Sequence, residues 1–174
     1  MSACIFPGSF DPITCAHMNL IERAAVMFDH VTVTVMVNRS KNGIIPYEER
    51  VRLIRKACEG FANVKAELWE GLLADYMRQH PGSIVIRGVR NSGDFEKELA
   101  AADMNRRLYN SMETLLIPAL PEWANLSSSA VREVASFGGS ISGMVPACIL
   151  ETVKKWLIPE KNKEGIKEDR SYGK

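Results

Sequence analysis

The sequence has almost no excess of one charge: 22 Lys and Arg stand against 21 Asp and Glu, a formal net charge of +1. A protein that coats nucleic acid carries a strong basic excess, so nucleic acid is not an expected partner; a small anion needs only a few local cations. No apolar run approaches the length of a membrane span, so no membrane partner is expected either. Residues 1–6 are apolar but short, and they lack the basic leader and cleavage site of a signal peptide. The cysteines Cys4, Cys15, Cys58 and Cys148 are scattered without a C-x-x-C pair. They suggest neither zinc nor a disulfide framework, and they read as reduced thiols of a cytoplasmic protein. A serine–histidine–carboxylate motif, a cluster of metal ligands, a Walker A lysine and a G-x-G-x-x-G run are also missing. These absences argue against a triad hydrolase, a P-loop kinase and a standard dinucleotide dehydrogenase, and no metal ligands are assigned to the chain.

What is present is alternation. The 174 residues suit one domain with one sizeable core. The run 3–6 is apolar and stops at Pro7-Gly8, and residues 17–28 carry Leu20, Ile21, Ala24, Ala25 and Phe28 at helical spacing. Residues 31–37 read VTVTVMV, a β-branched strand pattern. Pro46 starts a helix with Glu48 and Glu49 in its first turn and a stripe of Val51, Ile54, Cys58 and Phe61. Val64, Ala66 and Leu68 predict a third strand, residues 72–79 a short helix, 84–86 a doubly covered strand, 95–109 a long helix and 115–117 a fifth strand. Helices over about 129–137 and 147–157 follow. No internal repeat is visible. The expected fold is α/β: a Rossmann-like, doubly wound, five-stranded parallel sheet with C-terminal helices over residues 1–159. Residues 160–174 are highly charged and poor in apolar groups, and they are expected to be a disordered tail.

In such a fold ligands bind beyond the carboxyl ends of the strands, so the residues that follow each strand are the candidates. After the first strand comes Pro7-Gly8-Ser9-Phe10-Asp11-Pro12-Ile13-Thr14-Cys15-Ala16-His17. Gly8 permits a tight path, Ser9 offers a hydroxyl, and His17 sits near a helix N-terminus whose N–H groups favour phosphate. The same segment reads equally as a plain strand–helix connection with an incidental histidine. After the second strand Lys41 is either an anion ligand or a solvated loop lysine. The fourth strand runs into Arg87-Gly88-Val89-Arg90. Two guanidinium forks flank a glycine that admits close approach, although edge arginines also pair with surface carboxylates. After the fifth strand, Trp123-Ala124-Asn125-Leu126 leads into Ser127-Ser128-Ser129 at a helix start. One serine suffices as a cap, so the run points to additional donors. Trp123 either lies beside a nucleotide or fills the core.

The stretch GSFDPITCAH resembles the G-[ST]-F-D-P-x-T-x-G-H signature of the nucleotidyltransferase superfamily. Arg87-Gly88-Val89-Arg90, Asp94-Phe95-Glu96, Met104-Asn105-Arg106 and Ser127-Ser128-Ser129, in this order on a short chain, resemble further marks of bacterial phosphopantetheine adenylyltransferase. The similarity spans residues 3–157. The resemblance implies transfer of the adenylyl group of ATP to 4′-phosphopantetheine, giving dephospho-coenzyme A. It implies that His17 stabilises the transition state, and that Ser9, Phe10, His17, Gly88, Val89, Arg90, Glu98 and the run Trp123, Ala124, Asn125, Leu126, Ser127, Ser128 and Ser129 hold ATP. It further implies that Ser9, Lys41, Leu73 and Arg87 hold the acceptor. Magnesium with ATP, a homohexamer and feedback by coenzyme A are implied in the same way. Two positions depart from the pattern: Ser9 replaces the usual threonine and keeps its hydroxyl, and Ala16 replaces the glycine before the histidine. Another small-molecule nucleotidyltransferase and a non-catalytic nucleotide sensor are the competing readings, the latter favoured by Ala16 alone.

Overall fold

The computed structural model describes residues 2–37 and 43–158. Five parallel strands, β1 (Ala3–Gly8), β2 (His30–Val37), β3 (Val64–Glu70), β4 (Ile84–Val89) and β5 (Glu113–Pro118), lie in the order β3-β2-β1-β4-β5. The chain builds outward from β1 to β3, then crosses to the far side of β1 for β4 and β5. The expected doubly wound sheet is therefore present. The helices are α1 (Cys15–Met27), α2 (Tyr47–Ala57), α3 (Leu73–Arg78), α4 (Ser92–Leu108), α5 (Ser128–Ser136) and α6 (Leu150–Leu157). Lys41 and the charged tail 160–174 lie outside the described residues.

The two faces of the sheet are packed unequally. On one, Cys4, Phe6, Val31, Val33, Val35, Ala66, Ile86 and Ile117 point from alternate strand positions into a core shared with α1, α2, α5 and α6. On the other, Ile5 and Val85 meet Tyr76 and Met77 of α3 and Met112 in a much smaller cluster. Helix α4 belongs to this second face, yet none of its 17 residues is buried. Its half-buried positions Asp94, Glu98, Ala102 and Asn105 recur at helical spacing and are mostly polar, whereas Phe95, Leu99, Met104 and Leu108 are exposed. The helix begins at Ser92, capped by the Asn91 side chain, which accepts from the Asp94 N–H at 2.9 Å. It thus starts three residues before the 95–109 span expected, because Asn-Ser-Gly composition reads as a turn until the cap is seen.

Strand β1 runs through Pro7-Gly8, two residues past its expected end at Phe6. It pairs with β2 over its whole length, from Ala3–His30 to Gly8–Val35, but with β4 only at Cys4–Ile84 and Ile5–Val85. Proline is normally excluded from a central strand because it cannot donate to the ladder. Here β4 has already diverged, and the Pro7 carbonyl accepts instead from Arg87 Nη1 at 2.5 Å. The divergence opens the sheet at the point where the strand order reverses, the place where ligands bind in such folds.

Candidate active site

Two adjoining clefts occupy this opening. The larger, about 610 Å³, runs along the loosely packed face beneath α4, with Met36, Leu73, Val85, Ala102, Asn105 and Thr114 among its walls. The smaller, about 280 Å³, lies toward α1 and α5 and is lined by Phe10, Ala16, His17, Gly88, Arg90, Leu126, Ser127 and Ser128 among others. Pro7, Gly8, Ser9, Arg87 and Glu98 line both, so they form the wall the clefts share.

The geometry of His17 follows from how α1 starts. Thr14 is the N-cap; its side chain accepts from the His17 N–H, and the His17 ring reaches back to the Thr14 N–H, with Nδ1 accepting at 3.0 Å. A backbone N–H only donates, so the proton of a neutral imidazole resides on Nε2, leaving Nε2–H as the donor for the smaller cleft. Burial, with the positive charges of Arg87 and Arg90 nearby, pushes the His17 pKa down to about 4, so the ring is neutral at pH 7. The ring is packed edge-on against Phe10, 5.1 Å between centroids. Phe10 itself has φ of 45°, and its ring covers the place a side chain on Gly8 would need, 2.9 Å away. Ala16 lies in the first turn of α1, in helical backbone, so no glycine-only conformation is required there.

Arg87 is held by Glu98: Nε and Nη2 each donate to one carboxylate oxygen at 2.7 Å. Arg90 pairs with Asp94 one helical turn along, at 2.6 Å. Gly88 lines the smaller cleft, and it also serves the packing behind that wall. A Cβ there would lie 2.4 Å from Leu20 Cδ1, so α1 packs into the space the glycine leaves.

The three serines each have a separate task. Ser127 caps α5, accepting from the Ala130 N–H at 3.1 Å; Ser128 donates to the Pro12 carbonyl at 2.7 Å; Ser129 accepts from Arg132 at 3.2 Å. The first-turn N–H groups of Ser128 and Ser129 have no intrahelical acceptor, and they stand at the positive end of the helix dipole.

Most of the predicted residues converge. Ser9, Phe10, His17, Gly88, Arg90, Glu98, Leu126, Ser127 and Ser128 line the smaller cleft, and Ser9, Leu73 and Arg87 line the larger. Ser129 faces the larger cleft rather than the smaller, and Val89, Trp123, Ala124 and Asn125 line neither. Sequence reasoning missed a buried network around Asp11. Its carboxylate accepts from the N–H groups of Ile44 and Ile45 at 3.1 and 2.9 Å, and Arg50 and Arg132 flank it at 3.5 and 3.6 Å. Arg50, 3 % exposed, also donates to the carbonyls of Ile45 and Ser9. A signal was available, since Arg50 sits one helical turn before Ile54, inside the stripe read as apolar.

The chain matches the cytidylyltransferase-like family over residues 5–134. It is 46% identical to a phosphopantetheine adenylyltransferase of Clostridium novyi over 153 residues, covering 88% of this chain and 95% of that one. It is equally similar, 46% over 155 residues, to one of Rubrobacter xylanophilus, covering 89% and 94%. The solved structure of a candidate nicotinate-nucleotide adenylyltransferase from Vibrio parahaemolyticus superposes with a TM-score of 0.64, covering 88% of this chain and 99% of that one. At 19% identity it supports the fold alone. With its strand-end motifs gathered around one opening in the sheet, this chain belongs to the phosphopantetheine adenylyltransferase family, within the cytidylyltransferase-like nucleotidyltransferases.

Proposed function

We propose that the protein transfers the adenylyl group of ATP to 4′-phosphopantetheine, giving dephospho-coenzyme A and pyrophosphate. The observation that carries this reading is the wall shared by the two clefts, because it brings a nucleotide in one and a phosphorylated acceptor in the other together at Ser9 and Arg87. The acceptor phosphate is already anionic at neutral pH, so no general base is needed. One of its oxygens attacks the α-phosphorus of ATP; that P–O bond forms as the bond to the β-phosphate oxygen breaks, and pyrophosphate leaves with the electron pair. What the protein supplies is alignment and charge stabilisation. In this reading neutral His17 donates from Nε2 to the α-phosphoryl group, the start of α5 faces the departing phosphates, and Arg87 holds the acceptor. Gly88, Arg90, Glu98 and residues 126–128 belong to the nucleotide side, and Leu73 and Lys41 to the acceptor side; Val89, residues 123–125 and Ser129, which do not line the smaller cleft, are given to the nucleotide side by the family resemblance alone.

Among the described residues no three side chains of metal-ligating type come together. Mg²⁺ would accompany ATP and would supply charge neutralisation for the leaving pyrophosphate. The exposed Phe95, Leu99, Met104 and Leu108 of α4 support self-association, and the family resemblance makes a homohexamer the proposed assembly. Coenzyme A, which carries both an adenosine and a pantetheine end, would span both clefts as a feedback inhibitor. None of the described helices is long and apolar enough to cross a membrane, and the proposed location is the cytoplasm. The sensor reading gains nothing from backbone strain, because Ala16 sits in regular helix.

The test is direct. Protein, magnesium-ATP and 4′-phosphopantetheine should yield dephospho-coenzyme A, and excess pyrophosphate should reverse the reaction. Preference for nicotinate mononucleotide as acceptor would overturn the assignment.

A further inference from the structure

The pair Arg87–Glu98 occupies the wall between the two clefts, and its arrangement has a cost for an anionic acceptor. A guanidinium recognises phosphate through two parallel N–H groups. On Arg87 one such fork, Nε with Nη2, is already filled by the two Glu98 oxygens at 2.7 Å, and Nη1 is tied to the Pro7 carbonyl. A phosphate brought to Arg87 thus meets a carboxylate seated on the same cation. Glu98 is mostly shielded from water, its side chain 18% exposed, so the repulsion between two anions is only partly screened. The carboxylate has another place to go. Glu98 also lines the smaller cleft, beside Gly88 and Arg90, where a nucleotide would present ribose hydroxyls. A carboxylate accepts hydrogen bonds from ribose hydroxyls readily. No residue of α4 is fully buried and Glu98 lines open clefts on both sides, so little core packing resists a change of rotamer at this position.

We propose that Glu98 is a positioning residue that couples the two substrates: it occupies the phosphate-binding fork of Arg87 until a nucleotide draws its carboxylate into the neighbouring cleft. The coupling rests on the reading of the two clefts given above. It makes ATP and the acceptor bind with positive cooperativity, and by linkage each raises the affinity for the other by the same factor. The acceptor phosphate then arrives at Arg87 chiefly when a nucleotide is in place to receive it. The coupling is electrostatic, so it requires an acceptor that carries the phosphate.

The experiment is calorimetric titration of the full chain with 4′-phosphopantetheine, alone and with saturating α,β-methylene ATP, whose bridging carbon blocks transfer. In the natural protein the analogue should tighten acceptor binding by about tenfold, within the range usual for coupled sites. In Glu98→Gln, which keeps the size of the side chain and removes its charge, acceptor alone should bind more tightly than to the natural protein. The analogue should then change its affinity by no more than about twofold, on the same scale of coupling. A merely structural role for Glu98 would weaken acceptor binding on substitution. That result, or coupling that survives in Glu98→Gln, would overturn the proposal. So would coupling of equal size in the natural protein with pantetheine, which lacks the phosphate. Failure of the natural protein to bind 4′-phosphopantetheine under any condition would instead strike at the proposed function.

Discussion

Helices α1 and α4 follow the two adjacent central strands, β1 and β4, and flank the same opening, yet they are built on opposite plans. Helix α1 buries Met18, Leu20, Ile21 and Ala24, and Leu20 fills the space left by Gly88. Helix α4 is longer and has no fully buried residue; of its mostly polar, half-buried stripe, Glu98, Ala102 and Asn105 line the larger cleft and Asp94 the smaller. The difference shows how one fold serves two tasks. The residue proposed to stabilise the transition state is carried on an element pinned by core packing, and the cleft proposed for the acceptor is made by holding the matching helix away from the sheet. Core packing supplies the rigidity in the first case, and its absence supplies the volume in the second.

Substitutions at matched positions test this contrast. The largest effect is expected at Ile21, fully buried on α1. Ile21→Ala should cost about 2–5 kcal/mol of unfolding free energy, measured by denaturant titration. A cost near zero would mean that α1 is no better anchored than α4. Next comes His17→Ala, expected to lower kcat on the order of a hundredfold, as for loss of one preorganised donor, with much less change in ATP affinity. Near-normal kcat in steady-state assays would remove His17 from the chemistry.

The His17 ring also sets a pH dependence. Its folded-state pKa of about 4 lies below the ordinary histidine value near 6.5, so the unfolded chain binds the proton first as pH falls. Its contribution to stability is therefore complete above about pH 6.5 and lost progressively toward pH 4. In an NMR titration the His17 ring signals should stay constant between pH 8 and about 6; a midpoint near 6.5 would contradict the neutral ring. Ala16→Gly should change kcat/KM by less than about tenfold, because position 16 is already helical and alanine suits it. An inactive natural protein rescued by this glycine would reverse that reading. The smallest effect belongs to α4. Leu99→Ser should shift the stability of the dilute protomer by no more than about 0.5 kcal/mol while reducing the sedimenting mass at higher concentration. A loss as large as that of Ile21→Ala would show that the two helices do not differ after all.

Where the sequence was legible, its signals were local. The β-branched run 31–37, the turn after β1 and the arginines on β4 all announce themselves within a few residues, and the strand-end rule places them at one site. What was not legible depends on partners distant in the chain. The fork from Arg87 to Glu98 joins a strand to a helix eleven residues on. The Asp11 network brings in Arg50 and Arg132 from two further helices, and an arginine in an otherwise apolar stripe signals burial without naming its partner. Gly88 was visible as a special position, but not that Leu20 fills its space. Nor does adjacency fix direction. Trp123, Ala124 and Asn125 immediately precede the serine run, yet the short 3-10 turn at Pro121–Trp123 leaves them off both cleft walls.

The early parting of β1 and β4 also bears on how the protein keeps its site from closing. Two strands that run side by side with open backbone groups tend to zip together, and the lips of this gap are in effect two edge strands inside the sheet. Two of the safeguards used at outer edges, a proline and a charged side chain, are found here. Pro7 offers no N–H with which a further ladder bond could form, and its carbonyl is occupied by the Arg87 side chain. The guanidinium that spans the gap also props it, since β4 cannot approach Pro7 without displacing it. The cleft is thus protected against the sheet's own tendency to complete itself, by the same means that protect other sheets from aggregation.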